Sequence, residues 1–274
     1  MGSGRRHCPV LLYHSQNVAG NDYESNDHVA LADDLRLIHD LGLEIIPLGW
    51  LVDWLLGERD LDIGHCVCIS FDDGVDADVH DLDFPGIGTQ RGFLNIMCDF
   101  RDELGSVAQA NLHATSFVIA SPEARAVMDR HSLFDKDWMS EDWWCADHGG
   151  LLAIGNHGWD HEHPDLVHIG GQPAGGFWGV DDRDKADTQI FAAAEYIAGL
   201  NHGRWPDLFA YPYGHVNGYL SSEYFPGHEH HGTRAAFSTE PCPVRADSDR
   251  WQLGRFVCGR DWRSHTDLEK ILLS

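Results

Sequence analysis

Short apolar runs alternate with helix-like segments along the chain. Eight runs have the length and the Val, Ile, Leu and Phe content of buried strands. They cover residues 9–14, 43–47, 66–71, 114–120, 151–156, 208–211, 235–239 and 253–257. Between the first two runs, residues 29–41 place apolar side chains on one helix face, and Gly42 is positioned to end that helix. A second helix, rich in alanine, is predicted over residues 184–200.

This frequent alternation predicts an α/β fold in which crossover helices join the strands of a parallel sheet. Seven or eight strands favour a barrel over an open sheet. No repeat or linker divides the sequence, so we expect one domain over residues 1–274. Residues 74–90 are rich in aspartate and fit neither pattern, and we expect a loop insertion near residues 75–110.

The chain is strongly acidic, with a formal net charge of −25 over 274 residues. An acidic surface repels the phosphates of nucleic acids and of anionic lipids, so we expect neither as a partner. No apolar stretch approaches the ~20 residues that a membrane-spanning helix needs. Nothing in the pattern indicates an oligomeric state.

No secretory leader is visible, because no apolar region of sufficient length follows Arg5 and Arg6. This favours a cytoplasmic protein, with a secreted or periplasmic location as the alternative if a leader has been removed. The seven cysteines show no spacing that indicates a disulfide framework or a zinc ribbon. Cys66 and Cys68 alternate within an apolar run, which is typical of small core residues on a strand.

Polar residues follow four of the predicted strands. His14 ends the first strand, Asp72 and Asp73 end the third, His157 follows the fifth, and Tyr213 follows the sixth. The carboxyl ends of barrel strands meet at one face, where the chemistry of such folds collects. The sequence therefore predicts that these polar groups share one site.

The sequence Asp72-Asp73-Gly74 places two carboxylates at a strand end, where adjacent side chains point in different directions. One carboxylate can then bind a metal while the other faces a water molecule, and Gly74 permits the sharp turn. Taken alone, this sequence also fits an ordinary surface turn.

His157 and His161 are four residues apart and can lie on the same face of a helical turn. One carboxylate and two imidazoles leave a coordination position open for water, which catalysis requires. The alternative is a pair of solvent-facing loop histidines in a chain that has 19 histidines. His163 is a further candidate whose spacing fits the pair less well.

The third polar sequence follows the strand at residues 208–211. Pro212 fixes the backbone there, so the N–H of Tyr213 could donate to an oxyanion that develops on a substrate. An ordinary strand-ending turn is the alternative.

Together and in this order, these residues resemble the polysaccharide-deacetylase (NodB-like, carbohydrate esterase family 4) family. The resemblance rests on residues 9–14, 70–74, 115–118, 155–161, 209–214, 235–239 and 253–256. It implies a distorted (β/α)7-8 barrel that holds one divalent metal, zinc in the first place, with cobalt or nickel as alternatives. It also implies Asp72 as the general base, the Tyr213 amide in the oxyanion hole, and Asp73, His157 and His161 as metal ligands.

Three departures from the family pattern stand out. Gly158 replaces the Ser or Thr that usually follows the first metal-binding His, and Ala210 replaces an Arg that often braces the base. The late His that often serves as general acid has no clear match, since His265 lies too near the C-terminal helix. A branch of the family with an N-terminal Tyr-His sequence implies His14 as the acid, and a structural strand-end histidine is the alternative.

The reaction that the resemblance implies is removal of an N- or O-linked acetyl group from a carbohydrate. One alternative is a hydrolase of the same fold that acts on a non-sugar C–N bond, such as a cyclic imide or ureide, with a small amide as substrate. Another is a catalytically silent glycan-binding protein. Five tryptophans are candidates for stacking on sugar rings, with core packing as the alternative: Trp50, Trp143, Trp144, Trp159 and Trp178.

Overall fold

The computed structural model describes residues 7–169 and 176–274. Its strands are β1 (His7–Cys8), β2 (Val10–Tyr13), β3 (Glu44–Ile45), β4 (Cys66–Phe71), β5 (Leu82–Phe84), β6 (Gly88–Gln90), β7 (Ala114–Val118), β8 (Leu152–Asn156), β9 (Leu208–Ala210), β10 (Ala235–Phe237), β11 (Val244–Arg245) and β12 (Phe256–Val257). Its α-helices are α1 (Asp27–Asp40), α2 (Leu48–Leu55), α3 (Phe93–Leu104), α4 (Pro122–Ser132), α5 (Arg183–Ala186), α6 (Ala193–Leu200), α7 (Phe225–Gly227) and α8 (His265–Leu273).

The main sheet contains all eight strands that the sequence pattern predicts. Seven are ordered β10-β9-β8-β7-β4-β2-β12, and β3 pairs with the start of β4. Every pairing within this sheet is parallel. A parallel bridge joins Leu253, just before β12, to Phe237 of β10, so the sheet curls toward closure. The predicted distorted (β/α) barrel is thereby confirmed.

Both predicted helices are present. The first is α1, which Asn26 begins by accepting hydrogen bonds from the backbone amides of His28 and Val29. The second runs from α5 to α6 and contains a π-helical turn over Asp187–Ala192 that the sequence pattern did not reveal. Among the described residues, no helix combines the length and apolar character needed to cross a membrane.

Residues 75–110 are more regular than the loop insertion that the sequence pattern led us to expect. They contain an antiparallel hairpin of β5 and β6, followed by α3. Helix α3 lies between β4 and β7 in the chain and is therefore a crossover helix of the barrel. The sequence pattern does not reveal this hairpin, because each of its strands has only three residues and aspartate-rich turns surround them. That residues 1–274 form one catalytic domain stays a prediction.

The buried carboxylate of Asp34 in α1 links this helix to the end of β2, to the loop before α1 and to the segment before α8. Asp34 of α1 accepts hydrogen bonds from the hydroxyls of Tyr13 (2.9 Å) and Tyr23 (2.5 Å), and from the indole N–H of Trp262 (3.1 Å). Asp34 and Tyr13 have no exposed surface. Because Tyr13 is the last residue of β2, this network fixes the strand end from which His14 projects.

We expect Asp34→Ala to lower the free energy of unfolding by about 2–4 kcal/mol, since it leaves buried donors without their acceptor. The measurement is urea unfolding followed by circular dichroism. Asp33→Ala is the matched control, because the neighbouring Asp33 side chain is 44% exposed and should change stability by less than about 0.5 kcal/mol. Equal unfolding midpoints for the two variants would contradict this view of the network.

Candidate active site

All six residues predicted as catalytic groups or metal ligands line one pocket of about 230 Å³. His14, Asp72 and His157 directly follow β2, β4 and β8. Parallel pairing places the carboxyl ends of these strands side by side, so residues that are distant in the chain converge. The remaining three residues are Asp73, His161 and Tyr213.

The side chains of Asp73, His157 and His161 form the cluster that could hold a metal ion. One ligand atom from each lies within 4.8 Å of the other two. The Asp73 Oδ1 atom is 3.5 Å from Nε2 of His157 and 3.4 Å from Nε2 of His161. Two ligand atoms that each lie about 2.1 Å from a tetrahedral zinc ion are separated by about 3.4 Å. The cluster therefore fits a single divalent metal.

The two imidazoles present the same nitrogen atom to Asp73. Nδ1 of His157 lies 2.9 Å from the Ala210 carbonyl oxygen and donates to it, which leaves Nε2 as a ligand atom. Burial lowers the pKa of His157, but the carboxylates of Asp72 and Asp73 more than reverse this effect. Burial, followed by the charge of His157, lowers the pKa of His161 to about 3. His161 is therefore neutral at physiological pH, as a metal ligand must be.

Three site residues adopt the left-handed backbone conformation that is uncommon for residues other than glycine. Their φ angles are 76° for Asp73, 64° for His161 and 58° for Tyr213. Such conformations cost on the order of 1–3 kcal/mol each and concentrate at functional sites. At the turn after β4, a Cβ atom on Gly74 would lie 2.7 Å from the Val118 side chain, so only glycine fits there.

Asp72 is buried and is held by Arg255, which the sequence analysis did not identify as a site residue. Arg255 Nη1 and Nη2 donate to Oδ1 and Oδ2 of Asp72 at 2.7 and 2.8 Å. Burial raises the pKa of Asp72, but the charges of Arg255 and His157 outweigh burial and bring it below its ordinary value. Arg255 thus supplies the bracing cation that Ala210 cannot provide. The only sequence signal was its position within residues 253–256 of the family pattern.

Gln189 braces the backbone that carries the two histidines. Its Oε1 accepts hydrogen bonds from the amides of Trp159 (3.0 Å) and Asp160 (3.3 Å), and its Nε2 donates to Asp160 Oδ1 (2.6 Å). Gln189 is buried and lies in the π-helical turn, a feature that is frequent at functional sites. A Cβ atom on Gly158 would lie 3.3 Å from Gln189 Oε1. Gly158 therefore leaves room for the Gln189 amide beside this backbone.

Two further polar side chains support the site and were missed in the sequence. Gln16 Nε2 donates to Asp73 Oδ2. Asp78 is fully buried and accepts hydrogen bonds from the hydroxyls of Ser15 and Ser116, both at 2.6 Å. Burial raises the pKa of Asp78 to about 7 in spite of these two bonds. Asp78 thus ties the segment after β4 to β7 and to the residue next to His14.

Three residues that line the pocket have a polar group without a protein partner among the described residues. Among the described residues, the buried Nδ1 of His14 and Oε1 of Gln16 accept or donate no hydrogen bond. Within the same part of the chain, the Tyr213 amide donates to no protein acceptor. Buried polar groups normally have a partner, so these unpaired groups are unusual for a folded protein.

The remaining candidates divide between the pocket and the core. His163 lines the pocket but lies outside the three-residue cluster. Trp143 and Trp144 are buried and belong to a turn. Trp159, a candidate for stacking on sugar rings, packs edge-on against Tyr196 with ring centroids 5.7 Å apart. Trp50 is half-buried beneath Arg59, and Trp178 is 53% exposed.

No protein-family model and no curated protein matches the chain in sequence. Solved structures do match it. IcaB from Ammonifex degensii is 18% identical, with a TM-score of 0.68 over 99% of both chains. The deacetylase PplD from Streptococcus pyogenes, in complex with acetate, is 15% identical, with a TM-score of 0.65 over 97% of this chain and 98% of its own.

A de-N-acetylase from Aggregatibacter actinomycetemcomitans is also similar, at 13% identity and a TM-score of 0.63, over 97% of this chain and 99% of its own. These matches extend over nearly the whole of each chain. At such low identities they show a common fold. The chain therefore shares its distorted (β/α) barrel fold with these proteins.

Proposed function

We propose that the chain is a metal-dependent hydrolase that removes N- or O-linked acetyl groups from a carbohydrate. The observation that carries the proposal is the cluster of Asp73, His157 and His161 beside the Asp72–Arg255 pair within one pocket. The fold shared with PplD and with the de-N-acetylase supports it. The donor set of one carboxylate and two imidazoles favours zinc, with cobalt or nickel as alternatives.

In this proposal, Asp72 is the general base. Asp73, His157 and His161 would hold a divalent metal, which would supply Lewis acidity for polarising the acetyl carbonyl and for acidifying the attacking water. Asp72 accepts a proton from the attacking water, because its lowered pKa keeps it ionised at neutral pH. Arg255 holds both carboxylate oxygens, so the base keeps one orientation during proton transfer.

Tyr213 and His14 complete the reaction. The carbonyl oxygen gains negative charge as water adds to the acetyl carbon, and the Tyr213 backbone N–H donates to it. The left-handed conformation of Tyr213 and the neighbouring Pro212 fix this N–H in place. His14 then protonates the leaving amine or alcohol, and the bond to the acetyl carbon breaks to release acetate.

The direct test is acetate release from N-acetylglucosamine oligomers in the presence of zinc, cobalt or nickel, run beside ring opening of a cyclic imide. We expect acetate release, and we expect Asp72→Asn to reduce kcat/KM by at least ~10²-fold because it removes the base. Imide opening without acetate release would favour the non-sugar hydrolase. Glycan binding without any turnover would favour a silent binding protein.

Metal content provides an independent prediction. We expect the purified protein to contain about one equivalent of divalent metal, and Asp73→Ala and His157→Ala to contain almost none, because each removes a ligand. Elemental analysis of extensively dialysed protein gives the measurement. His163→Ala is the control, since His163 lines the same pocket outside the cluster and should keep the metal. Equal metal content in all four proteins would contradict the ligand set.

Gln189 should control metal affinity through the loop that it braces. We expect Gln189→Ala to weaken zinc binding about 10–100-fold, the range typical of residues that orient ligands. A competition titration with a chromophoric chelator measures this. Thr188→Ala is the control on the same turn, because Thr188 is exposed and its hydroxyl donates to the Asp184 carbonyl oxygen, away from the histidines. Equal zinc dissociation constants for the two variants would show that the bracing has no effect.

Arg255 should set the acid limb of the pH profile. Without its cation the pKa of Asp72 rises, so the base becomes protonated at a higher pH. We therefore expect the acid limb of kcat/KM to move to higher pH in Arg255→Met, with a loss of at least ~10²-fold. Arg255→Lys should shift the limb less, and the exposed Arg36→Met serves as a control. An acid limb in Arg255→Met that superimposes on that of the wild type would refute the bracing role.

A further inference from the structure

The turn that follows β2 presents two side chains to the pocket, those of His14 and Gln16. Ser15 lies between them, and its hydroxyl donates instead to the buried Asp78 at 2.6 Å. The backbone N–H of His14 donates to Oδ2 of Asp27 at 2.8 Å. These two bonds fix the backbone from which Gln16 projects, so its amide is held in one place beside the candidate metal cluster.

The two carboxylate oxygens of Asp73 have different surroundings. Oδ1 lies 3.5 Å from Nε2 of His157 and 3.4 Å from Nε2 of His161. Oδ2 accepts a hydrogen bond from Nε2 of Gln16. A bound metal would therefore meet Oδ1 together with the two imidazoles, while Gln16 occupies the other oxygen of the same carboxylate.

The donor on Asp73 is uncharged, in contrast to the donor on the neighbouring carboxylate. Arg255 holds both oxygens of Asp72 with its cation, at 2.7 and 2.8 Å. In the described part of the chain, no lysine or arginine lines the pocket or pairs with Asp73. A cation on Asp73 would compete with a divalent metal for the carboxylate charge, whereas an amide does not. Gln16 thus orients Asp73 and leaves its charge available.

The opposite end of the Gln16 amide gains nothing from this position. Oε1 is buried and has no hydrogen-bond partner among the described residues. An unpaired buried acceptor costs free energy, and most buried polar groups have a partner. Within the same residues, the bond to Asp73 is the only hydrogen bond of this side chain. That bond is therefore what the polar group at position 16 contributes to the site.

We propose that Gln16 is a positioning residue that makes Asp73 a one-oxygen metal ligand and so keeps a coordination position free for water. The proposal rests on the proposed function, since it assumes a divalent metal at the three-residue cluster. Carboxylates bind metals through one oxygen or through both. Without the amide, Oδ2 would be free to bind as well and would fill the position that a catalytic site leaves open.

The test replaces the metal with cobalt(II), whose visible absorption is stronger in four-coordinate sites than in sites with five or six ligands. Gln16→Leu removes the donor and keeps a side chain of similar size. At one bound cobalt per chain, we expect a strong band in the wild type and a severalfold weaker band in Gln16→Leu. The kcat for acetate release from the N-acetylglucosamine hexamer should fall about 10–100-fold in this variant.

Two further variants control for effects on folding and on the turn. Gln16→Met has a flexible side chain without a donor and should give the same weakened band as Gln16→Leu. Asn17→Leu changes the next residue of the turn, which is exposed and lies outside the pocket, and should keep the strong band. Thermal unfolding followed by circular dichroism verifies that each variant is folded.

Gln16→Lys tests the charge argument separately, because it keeps an N–H donor and adds a cation beside Asp73. We expect its cobalt dissociation constant, from a competition titration with a chromophoric chelator, to rise at least ~10-fold above that of the wild type. Cobalt bound equally tightly by Gln16→Lys and by the wild type would overturn the argument that the donor must be neutral.

The outcomes separate the role of Gln16 from the proposed function. A strong band in the wild type that persists in both Gln16→Leu and Gln16→Met would overturn the positioning role and leave the metal site and the proposed function standing. A weak band in the wild type itself would also overturn the positioning role. A wild type that binds no cobalt and no zinc would overturn the proposed function and the role of Gln16 together.

Discussion

Burial of three carboxylates at the carboxyl end of β4 is the constraint on which the site depends. Asp72 and Asp78 are almost or fully buried, and the Asp73 side chain is only 15% exposed. Buried charge is costly unless it is paired or hydrogen-bonded. Arg255 neutralises the first carboxylate, two serine hydroxyls satisfy the last, and Asp73 faces two imidazoles. A divalent cation at Asp73 would complete this compensation.

The side chains that compensate the buried carboxylates are far apart from them in the sequence. Arg255 reaches Asp72 across 183 positions, and it can do so because the chain before β12 returns beside β10. Gly254 allows this approach, since a Cβ atom there would lie 2.6 Å from the Glu240 carbonyl oxygen. Gln189 lies in the π-helical turn and accepts a hydrogen bond from the backbone amide of Trp159. It thereby holds the loop that carries His157 and His161. Fold and site are therefore coupled: the strands place the ligands, and distant side chains keep them in strained backbone conformations.

Much of this arrangement could be predicted from the sequence, because apolar runs and strand-end polar residues follow simple periodicities. The eight strands and the convergence of His14, Asp72 and His157 depend only on parallel pairing. The bracing by Arg255 and Gln189 could not be derived, because it depends on side-chain reach between distant segments. The roles of the tryptophans also required the structure: Trp159 packs on Tyr196, and Trp178 remains at the surface. A single sequence does not distinguish these two environments.

The most direct test of the account is a crystal structure of the protein grown with zinc, with anomalous diffraction recorded on both sides of the zinc absorption edge. The account predicts one strong peak about 2.0–2.2 Å from an Asp73 oxygen and from Nε2 of both His157 and His161. A peak at a different set of residues, or none with the three side chains ordered and well separated, would contradict it.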